Sequence, residues 1–277
     1  MPRSGPISMT FPPFAGATRK IVLANVFVFF GFALLGWVSP GAAGLLISHL
    51  VLEPLAVLRG EVWQLVSYSF VNQGLLNVAL GMLTLWFMGA LLEGVYGARW
   101  VTELYFASVI GGAAIAAALS FTHLLGLHPM TATAGAWSGI FGVMVAIGVL
   151  FGEQEFLLMF IVRIKAKYMV AIYILIATAI LLKQADGFGA LLQLSGALCG
   201  FLYVKMAPRR GVAFGLSERY FGLRNGYYRW KRRRAAKKFT VYMRKQNREV
   251  HFDGEGRYVD PDEALQGKDP NDKRWMN

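Results

Sequence analysis

The sequence predicts an all-α polytopic membrane protein, a bundle of six transmembrane helices followed by a basic C-terminal tail. Of its 277 residues, 56% are hydrophobic and only 16% are charged, whereas soluble domains carry about 25% charged residues. A helix that crosses a bilayer needs about 20 mostly apolar residues. Six apolar runs approach this length, at about 21–38, 72–92, 101–121, 136–151, 168–183 and 188–206.

The individual runs differ in character. The first is longer than the 7–15 apolar residues of a signal peptide, so we interpret it as a retained span. The fourth and sixth are short and rich in glycine, which favours helices buried inside the bundle. Residues 39–71, between the first two spans, are too apolar for a solvated loop and are interrupted by prolines. We expect them to form short helices in or on the outer leaflet.

The distribution of positive charge predicts the orientation. Nine of the 28 Lys and Arg residues precede residue 205. If the N-terminus is cytoplasmic, only Arg59 and Lys183 of these nine fall on the outer side, and the basic tail is cytoplasmic too. We therefore expect a cytoplasmic N-terminal segment at 1–18, a membrane domain at 19–206 and a partly flexible cytoplasmic tail at 207–277. A bacterial inner membrane is the expected location.

The segment 133–142, Thr-Ala-Gly-Ala-Trp-Ser-Gly-Ile-Phe-Gly, is the most informative stretch of the chain. It places Ser138 between small residues at the start of an apolar helix. A reactive group inside a membrane is by default a functional hypothesis. A serine hydroxyl becomes a nucleophile only with a base within hydrogen-bond reach, so the function depends on whether that base exists.

Gly89, Glu93 and Gly97 form a Gly-x-x-x-Glu-x-x-x-Gly pattern near the end of the second apolar run. This pattern and several other motifs between residues 19 and 206 resemble the rhomboid family of intramembrane serine proteases and their non-catalytic relatives, in which the pattern ends the second helix. Ser138-Gly139 matches the end of the family's Gly-x-Ser-Gly motif, and the segments 61–70, 160–168 and 194–203 are similar to further family segments. The resemblance implies a six-helix rhomboid-like bundle with Ser138 at the nucleophile position.

The remaining catalytic positions implied by the resemblance are altered. The glycine two residues before the serine is Ala136, and the position of the base histidine on the sixth helix holds Gln193. An amide has no useful basicity near pH 7, so Gln193 cannot take the serine proton. The two oxyanion positions on the second helix hold Asn77 and Gly81. Asn77 still offers a hydrogen-bond donor, but Gly81 offers no side chain.

Two classes of function follow. The first is a non-catalytic pseudoprotease that binds membrane-protein client helices, and the second is an active intramembrane serine protease that uses Ser138 with an atypical base. Among the four histidines, His49, His123, His128 and His251, only His128 is a conceivable substitute base. Asn77, Ser138 and Gln193 are expected either to form one hydrogen-bonded cluster or to be satisfied separately. We expect no cofactor and no metal ion.

The tail is a second candidate functional region. From residue 205 onward it carries 19 basic and nine acidic residues, a net charge of +10 against +2 for the rest of the chain. Its densest cationic run is predicted to bind a partner through six residues: Arg229, Trp230, Lys231, Arg232, Arg233 and Arg234. Anionic lipid attracts such a juxtamembrane cluster, and nucleic acid or a ribosome is the alternative. A topology anchor is the simplest interpretation.

Overall fold

The computed structural model describes residues 12–123, 127–158, 162–183, 187–207, 212–245, 250–252 and 257–259. The chain divides into two compact units, Met1–Val212 and Ala213–Asn277. Residues 1–11 of the predicted N-terminal segment and residues 260–277 of the predicted tail lie outside the described ranges.

Six apolar helices in the first unit correspond to the six predicted runs. They are α1 (Gly16–Val38), α5 (Leu75–Tyr96), α6 (Ala98–Ser120), α7 (Trp137–Leu150), α8 (Ala166–Lys183) and α9 (Gly187–Met206). In the described part of the chain, five of them are long and apolar enough to cross a membrane, and α7 is an apolar helix of only 14 residues. The fold is therefore the predicted all-α polytopic membrane bundle.

The segment between α1 and α5 folds into short helices, as predicted. They are α2 (Pro40–Leu50), α3 (Pro54–Leu58), α4 (Gln64–Ser67) and a single 3-10 turn at Tyr68–Phe70. Proline begins α2 and α3, where its missing N–H costs no hydrogen bond. The segment is tied to the loop before α7, because the backbones of Leu52 and Thr133 exchange two hydrogen bonds. This connection positions the start of α7.

Small residues allow α6, α7 and α9 to pack at close range in the centre of the bundle. A Cβ atom on Gly112 of α6 would lie 2.9 Å from the Cα atom of Gly196 on α9. A Cβ atom on Gly200 would lie 2.8 Å from the carbonyl oxygen of Gly142 on α7. The side chains of α7 are buried from Ser138 to Ile147, because neighbouring helices surround it. The predicted burial of this glycine-rich helix is confirmed.

A carboxylate on α5 holds the beginning of α1. The side chain of Glu93 accepts hydrogen bonds from the backbone N–H groups of Ala17 and Thr18, at 2.8 and 3.0 Å, and from the Thr18 hydroxyl at 2.7 Å. The N-terminal N–H groups of a helix lack partners within the helix and favour negative charge. Glu93, the central residue of the Gly-x-x-x-Glu-x-x-x-Gly motif, therefore caps α1 from a neighbouring helix.

A short hairpin, which the sequence did not predict, joins α7 to α8. Strands β1 (Glu155–Leu158) and β2 (Val162–Lys165) are antiparallel. Just before β1, Glu153 forms ion pairs with Lys165, at 2.9 Å, and with Lys167. Hydrogen bonds from these two lysines lower the pKa of the Glu153 carboxyl to about 2. The pairing therefore persists at neutral pH and is lost only as the pH falls through that value.

In the residues that the structure describes, the second unit contains one long helix and a small hairpin. Helix α10 spans Val212–Lys245, and strands β3 (His251–Phe252) and β4 (Tyr258–Val259) pair antiparallel. Phe239 of α10 contacts Phe252 edge to face, with ring centroids 6.1 Å apart, and Phe252 contacts Tyr258 at 6.2 Å. These aromatic contacts place the hairpin on one side of the helix.

Candidate functional site

Ser138 lies in the first turn of α7 and is buried, with 1% of its surface exposed. Its hydroxyl donates a hydrogen bond of 3.2 Å to the backbone carbonyl of Ser108 on α6. A serine on an apolar helix satisfies its polar group in this way when water is excluded. The same proton would have to be removed before the oxygen could attack a carbonyl.

The surroundings of Ser138 are tightly packed. A Cβ atom on Gly112 of α6 would lie 2.6 Å from the Ser138 hydroxyl oxygen, and a Cβ atom on Gly196 of α9 would collide with the Ser138 hydroxyl and carbonyl oxygens. The neighbouring Gly139 faces the ring of Tyr105. The serine therefore sits where three helices meet, and their glycines create the space for it.

Gln193, at the position of the base, lies on α9 one turn before Gly196 and is half-buried. This places an amide on the helix that packs against the start of α7. The side chain carries hydrogen-bond donors and an acceptor but no imidazole. At position 193, the helix that packs against α7 therefore carries a polar side chain that does not titrate.

The loop before Ser138 is held by hydrogen bonds from other elements. Gly135 has a φ of +129°, which favours glycine, and its N–H donates to the carbonyl of Tyr68 at 2.9 Å. The N–H of Ala136 donates to the side-chain oxygen of Asn72 at 3.1 Å. Both donors are thus engaged within the protein.

The two predicted oxyanion positions lie on α5. Asn77 is exposed and accepts a 2.6 Å hydrogen bond from the indole N–H of Trp137, while its own amide donates to the carbonyl of Gln73 at 3.3 Å. Gly81 is buried, and a Cβ atom there would lie 3.3 Å from the Cδ1 atom of Ile140. A longer side chain at position 81 would require Ile140 to move.

The structure does not bring Asn77, Ser138 and Gln193 into the single hydrogen-bonded cluster that the sequence suggested. Asn77 pairs with Trp137, and Ser138 pairs with Ser108. For these two residues the alternative holds, in which each polar side chain has its own hydrogen-bond partner. The cluster fails because the Ser138 hydroxyl donates to a backbone carbonyl of α6 and Asn77 pairs with Trp137.

A polar contact that sequence reasoning missed involves Asn25, in the middle of α1. Asn25 is fully buried, donates to the carbonyl of Ile21 at 3.0 Å and accepts from the amide of Asn72 at 2.8 Å. Asn72 in turn binds the N–H of Ala136, so these two residues connect α1 to the start of α7. The asparagine inside the apolar run 21–38 could have indicated this contact, because a buried amide in a membrane needs a hydrogen-bond partner.

The histidines do not supply an alternative partner in the described residues. His49 pairs with Glu61 at 3.3 Å, and the rings of His123 and His128 contact each other with centroids 5.8 Å apart. All three are exposed, as is His251 in the second unit. Within the described ranges, groups of three or more potential metal ligands are also absent.

The six predicted partner-binding residues of the tail, Arg229 to Arg234, lie on α10 and are exposed. Trp230 keeps 54% of its surface accessible. A cationic and aromatic helix surface is therefore present within the second unit.

The fold and the serine position define a multi-pass helical membrane protein with a small polar residue buried at the start of its central helix. Comparison with known families assigns it more closely. The Rhomboid domain model matches residues 59–237, so the chain belongs to the rhomboid family. The matched range continues beyond the predicted end of the membrane domain at residue 206 and includes part of α10.

The chain is also similar to Rhomboid-like protein 16, chloroplastic, from Arabidopsis thaliana. The two are 27% identical over 101 residues, which is 35% of this chain and 29% of the relative. The chain thus aligns with less than a third of the length of this relative.

Proposed function

We propose that this rhomboid-family protein is non-catalytic and binds membrane-protein client helices. One observation carries the proposal: Ser138 is the nucleophile position, yet its hydroxyl is bonded to the Ser108 carbonyl and the base position holds Gln193. Without a base the hydroxyl stays protonated and is a poor nucleophile at neutral pH. An oxyanion donor contributes about 3 kcal/mol to the transition state, and Gly81 supplies none from its side chain.

Treatment of the purified full-length protein with a fluorophosphonate probe tests this part of the proposal. We expect labelling of the native protein to equal that of a Ser138→Ala variant, because the serine is buried and protonated. Labelling well above the Ser138→Ala control, together with cleavage of a transmembrane substrate, would instead establish the active serine protease with an atypical base.

Restoring the histidine in a Gln193→His variant is expected to leave proteolysis of the same substrate undetectable. The reason is that Ala136 remains next to the nucleophile position and Gly81 is still without a donor. A Cβ atom added at position 81 would lie 3.3 Å from the Cδ1 atom of Ile140. Even a double variant that combines Gln193→His with Gly81→Asn therefore needs the Ile140 side chain of α7 to move. Robust cleavage by Gln193→His alone would contradict this account.

The proposal of client binding rests on two polar side chains near the start of α7, Asn77 and Trp137. Asn77 is exposed on α5 and pairs with the half-buried Trp137 of α7. Exposed apolar residues continue along α5 and along α8, for example Leu76, Leu80 and Leu175. Both helices pack on α7. A client helix with a small or polar residue could pair with Asn77 while its apolar side covers these leucines.

We expect a photo-crosslinking amino acid at exposed Leu80, one turn after Asn77 on α5, to capture a synthetic single-span helix containing Gly, Ser and Asn more efficiently than an all-leucine helix, because Asn77 itself stays in place. Hydrogen bonds between membrane helices contribute about 0.6–2 kcal/mol each, so the preference should be about threefold to thirtyfold. The crosslinker at exposed Phe27 of α1 serves as the control and should show no preference. Equal capture of both helices at Leu80 would refute selective client binding.

We also propose the orientation that the charge distribution predicts, with both termini cytoplasmic in a bacterial inner membrane. Its support is the position of Lys165, at the end of β2, and of Lys167, in the first turn of α8. Both pair with Glu153 at the same end of the bundle, and excess Lys and Arg is typical of the cytoplasmic side. Digestion of the tail by trypsin in right-side-out and inverted vesicles tests the assignment.

A further inference from the structure

Helix α10 presents two different faces. At 100° per residue, Ala236, Phe239 and Met243 fall on one side of the helix. Ala236 is buried, and Phe239 contacts Phe252 of the small hairpin. The small hairpin therefore covers part of this side, which we call the hairpin side, although Phe239 itself stays 46% exposed.

The opposite side carries a continuous set of exposed cationic and aromatic residues, which we call the cation–aromatic face. It consists of Tyr227, Trp230, Arg234, Lys238, Val241 and Lys245. These positions fall within about 80° of arc, roughly 180° from the centre of the hairpin side. From Tyr227 to Lys245 the sequence contains nine Lys and Arg residues and no Asp or Glu, so no acidic side chain of this stretch neutralises the face.

The first three residues of the face are already arranged against one another. Tyr227 and Trp230 stack with ring centroids 6.2 Å apart and an interplanar angle of 30°. One turn later, the guanidinium carbon of Arg234 lies 5.3 Å from the centre of the Trp230 ring. The indole thus contacts an aromatic ring one turn before it and a guanidinium one turn after it, and Trp230 keeps 54% of its surface exposed.

This arrangement favours a membrane surface over nucleic acid. Single-stranded nucleic acid binds by stacking its bases on open aromatic faces, and here the Trp230 ring already contacts Tyr227 and Arg234. Tyr and Trp edges at the level of lipid headgroups, with Lys and Arg nearby, are typical of residues at a bilayer interface. The apolar Val241, 61% exposed, suits the same environment.

Chain connectivity supplies a second argument. Helix α10 begins at Val212, six residues after α9 ends at Met206. Six residues span at most about 20 Å, so the helix starts close to the bilayer in which α9 is embedded. A weak affinity for that surface suffices when the local concentration is fixed by so short a connection.

We propose that the cation–aromatic face of α10 binds the surface of the adjacent leaflet by recognising anionic phospholipid headgroups. Arg234, Lys238 and Lys245 contact the phosphates, the exposed edges of Tyr227 and Trp230 lie among the headgroups, and the hairpin side faces away from the bilayer. This function is independent of Ser138 and of client binding.

The test uses the full chain in nanodiscs of phosphatidylcholine alone or with about 30% phosphatidylglycerol. An environment-sensitive NBD label is attached at Lys238→Cys on the proposed face or at Arg232→Cys on the other side. Both variants remove one positive charge, and the native thiol is removed by Cys199→Ala. With phosphatidylglycerol we expect about a twofold rise and a blue shift of emission at position 238 only, reversed by high salt.

Two matched double variants distinguish an effect of the cation–aromatic face from an effect of net charge alone. Trp230→Ser with Arg234→Gln removes one aromatic and one cation from the face, and Tyr228→Ser with Arg232→Gln removes the same from outside it. We expect the first pair to abolish the response at position 238 and the second to preserve it. Equal responses at both label positions, equal effects of both pairs, or a response to a single-stranded RNA oligonucleotide in place of phosphatidylglycerol would overturn the proposal.

Discussion

Replacement of Gly196 by alanine is expected to destabilise the membrane domain by about 3 kcal/mol, at the upper end of the usual cost of overpacking a core. The new methyl group would lie 2.9 Å from the carbonyl carbon of Ser138 and would collide with its two oxygen atoms. The obstacle is largely the α7 backbone, which cannot rotate away as a flexible side chain could. Helices α7 and α9 would have to separate, and the contacts of both with α6 would loosen.

Equilibrium unfolding in mixed micelles, followed by circular dichroism, measures this effect. Gly31→Ala in α1 is the matched control, because a Cβ atom there meets nothing within 4 Å. Its free energy of unfolding should change by less than about 1 kcal/mol, the range of the helix propensity difference. A Gly196→Ala protein as stable as the Gly31→Ala protein would show that the bundle centre is looser than the structure indicates.

Removal of the Glu93 carboxylate is the second large effect that we expect. Glu93→Ala eliminates three hydrogen bonds to the start of α1 at once. Hydrogen bonds to a charged group contribute about 1.5–3 kcal/mol each, but the partial exposure of Glu93 reduces the total, so we expect a loss of about 2–4 kcal/mol. Proteolysis should then open the chain first near residues 15–20, because α1 is released from α5.

Two further variants test whether Glu93 acts as a cap of α1 and not through its charge alone. Thr18→Val keeps both backbone hydrogen bonds to Glu93 and loses only the hydroxyl, so it should cost about 1 kcal/mol. Glu155→Ala removes an exposed carboxylate in β1 and is the control for charge alone. If Glu93→Ala and Glu155→Ala unfold at the same denaturant concentration, Glu93 does not cap α1 in the way described.

The amino-acid sequence by itself determined the class of the protein. Apolar run length is a local property, so the six helices could be placed within a few residues, and the short glycine-rich helix α7 was expected inside the bundle. The identity of residue 193 is likewise local. An amide is not a base in any fold, so Gln193, where the resemblance predicts the base, cannot act as one whatever surrounds it.

Only the tertiary structure decided which polar groups meet. The membrane helices are apolar around most of their circumference, so polar and apolar alternation does not encode which side faces a neighbour. The hydroxyl of Ser138 therefore hydrogen-bonds the Ser108 carbonyl, 30 positions away, and Asn77 hydrogen-bonds Trp137 instead of Ser138. Glu93 similarly reached a helix end 75 residues earlier in the chain. On α10, the sequence showed a dense basic run, but only the structure placed the hairpin at Phe252 against Phe239, because the contact joins residues that are 13 positions apart in the chain.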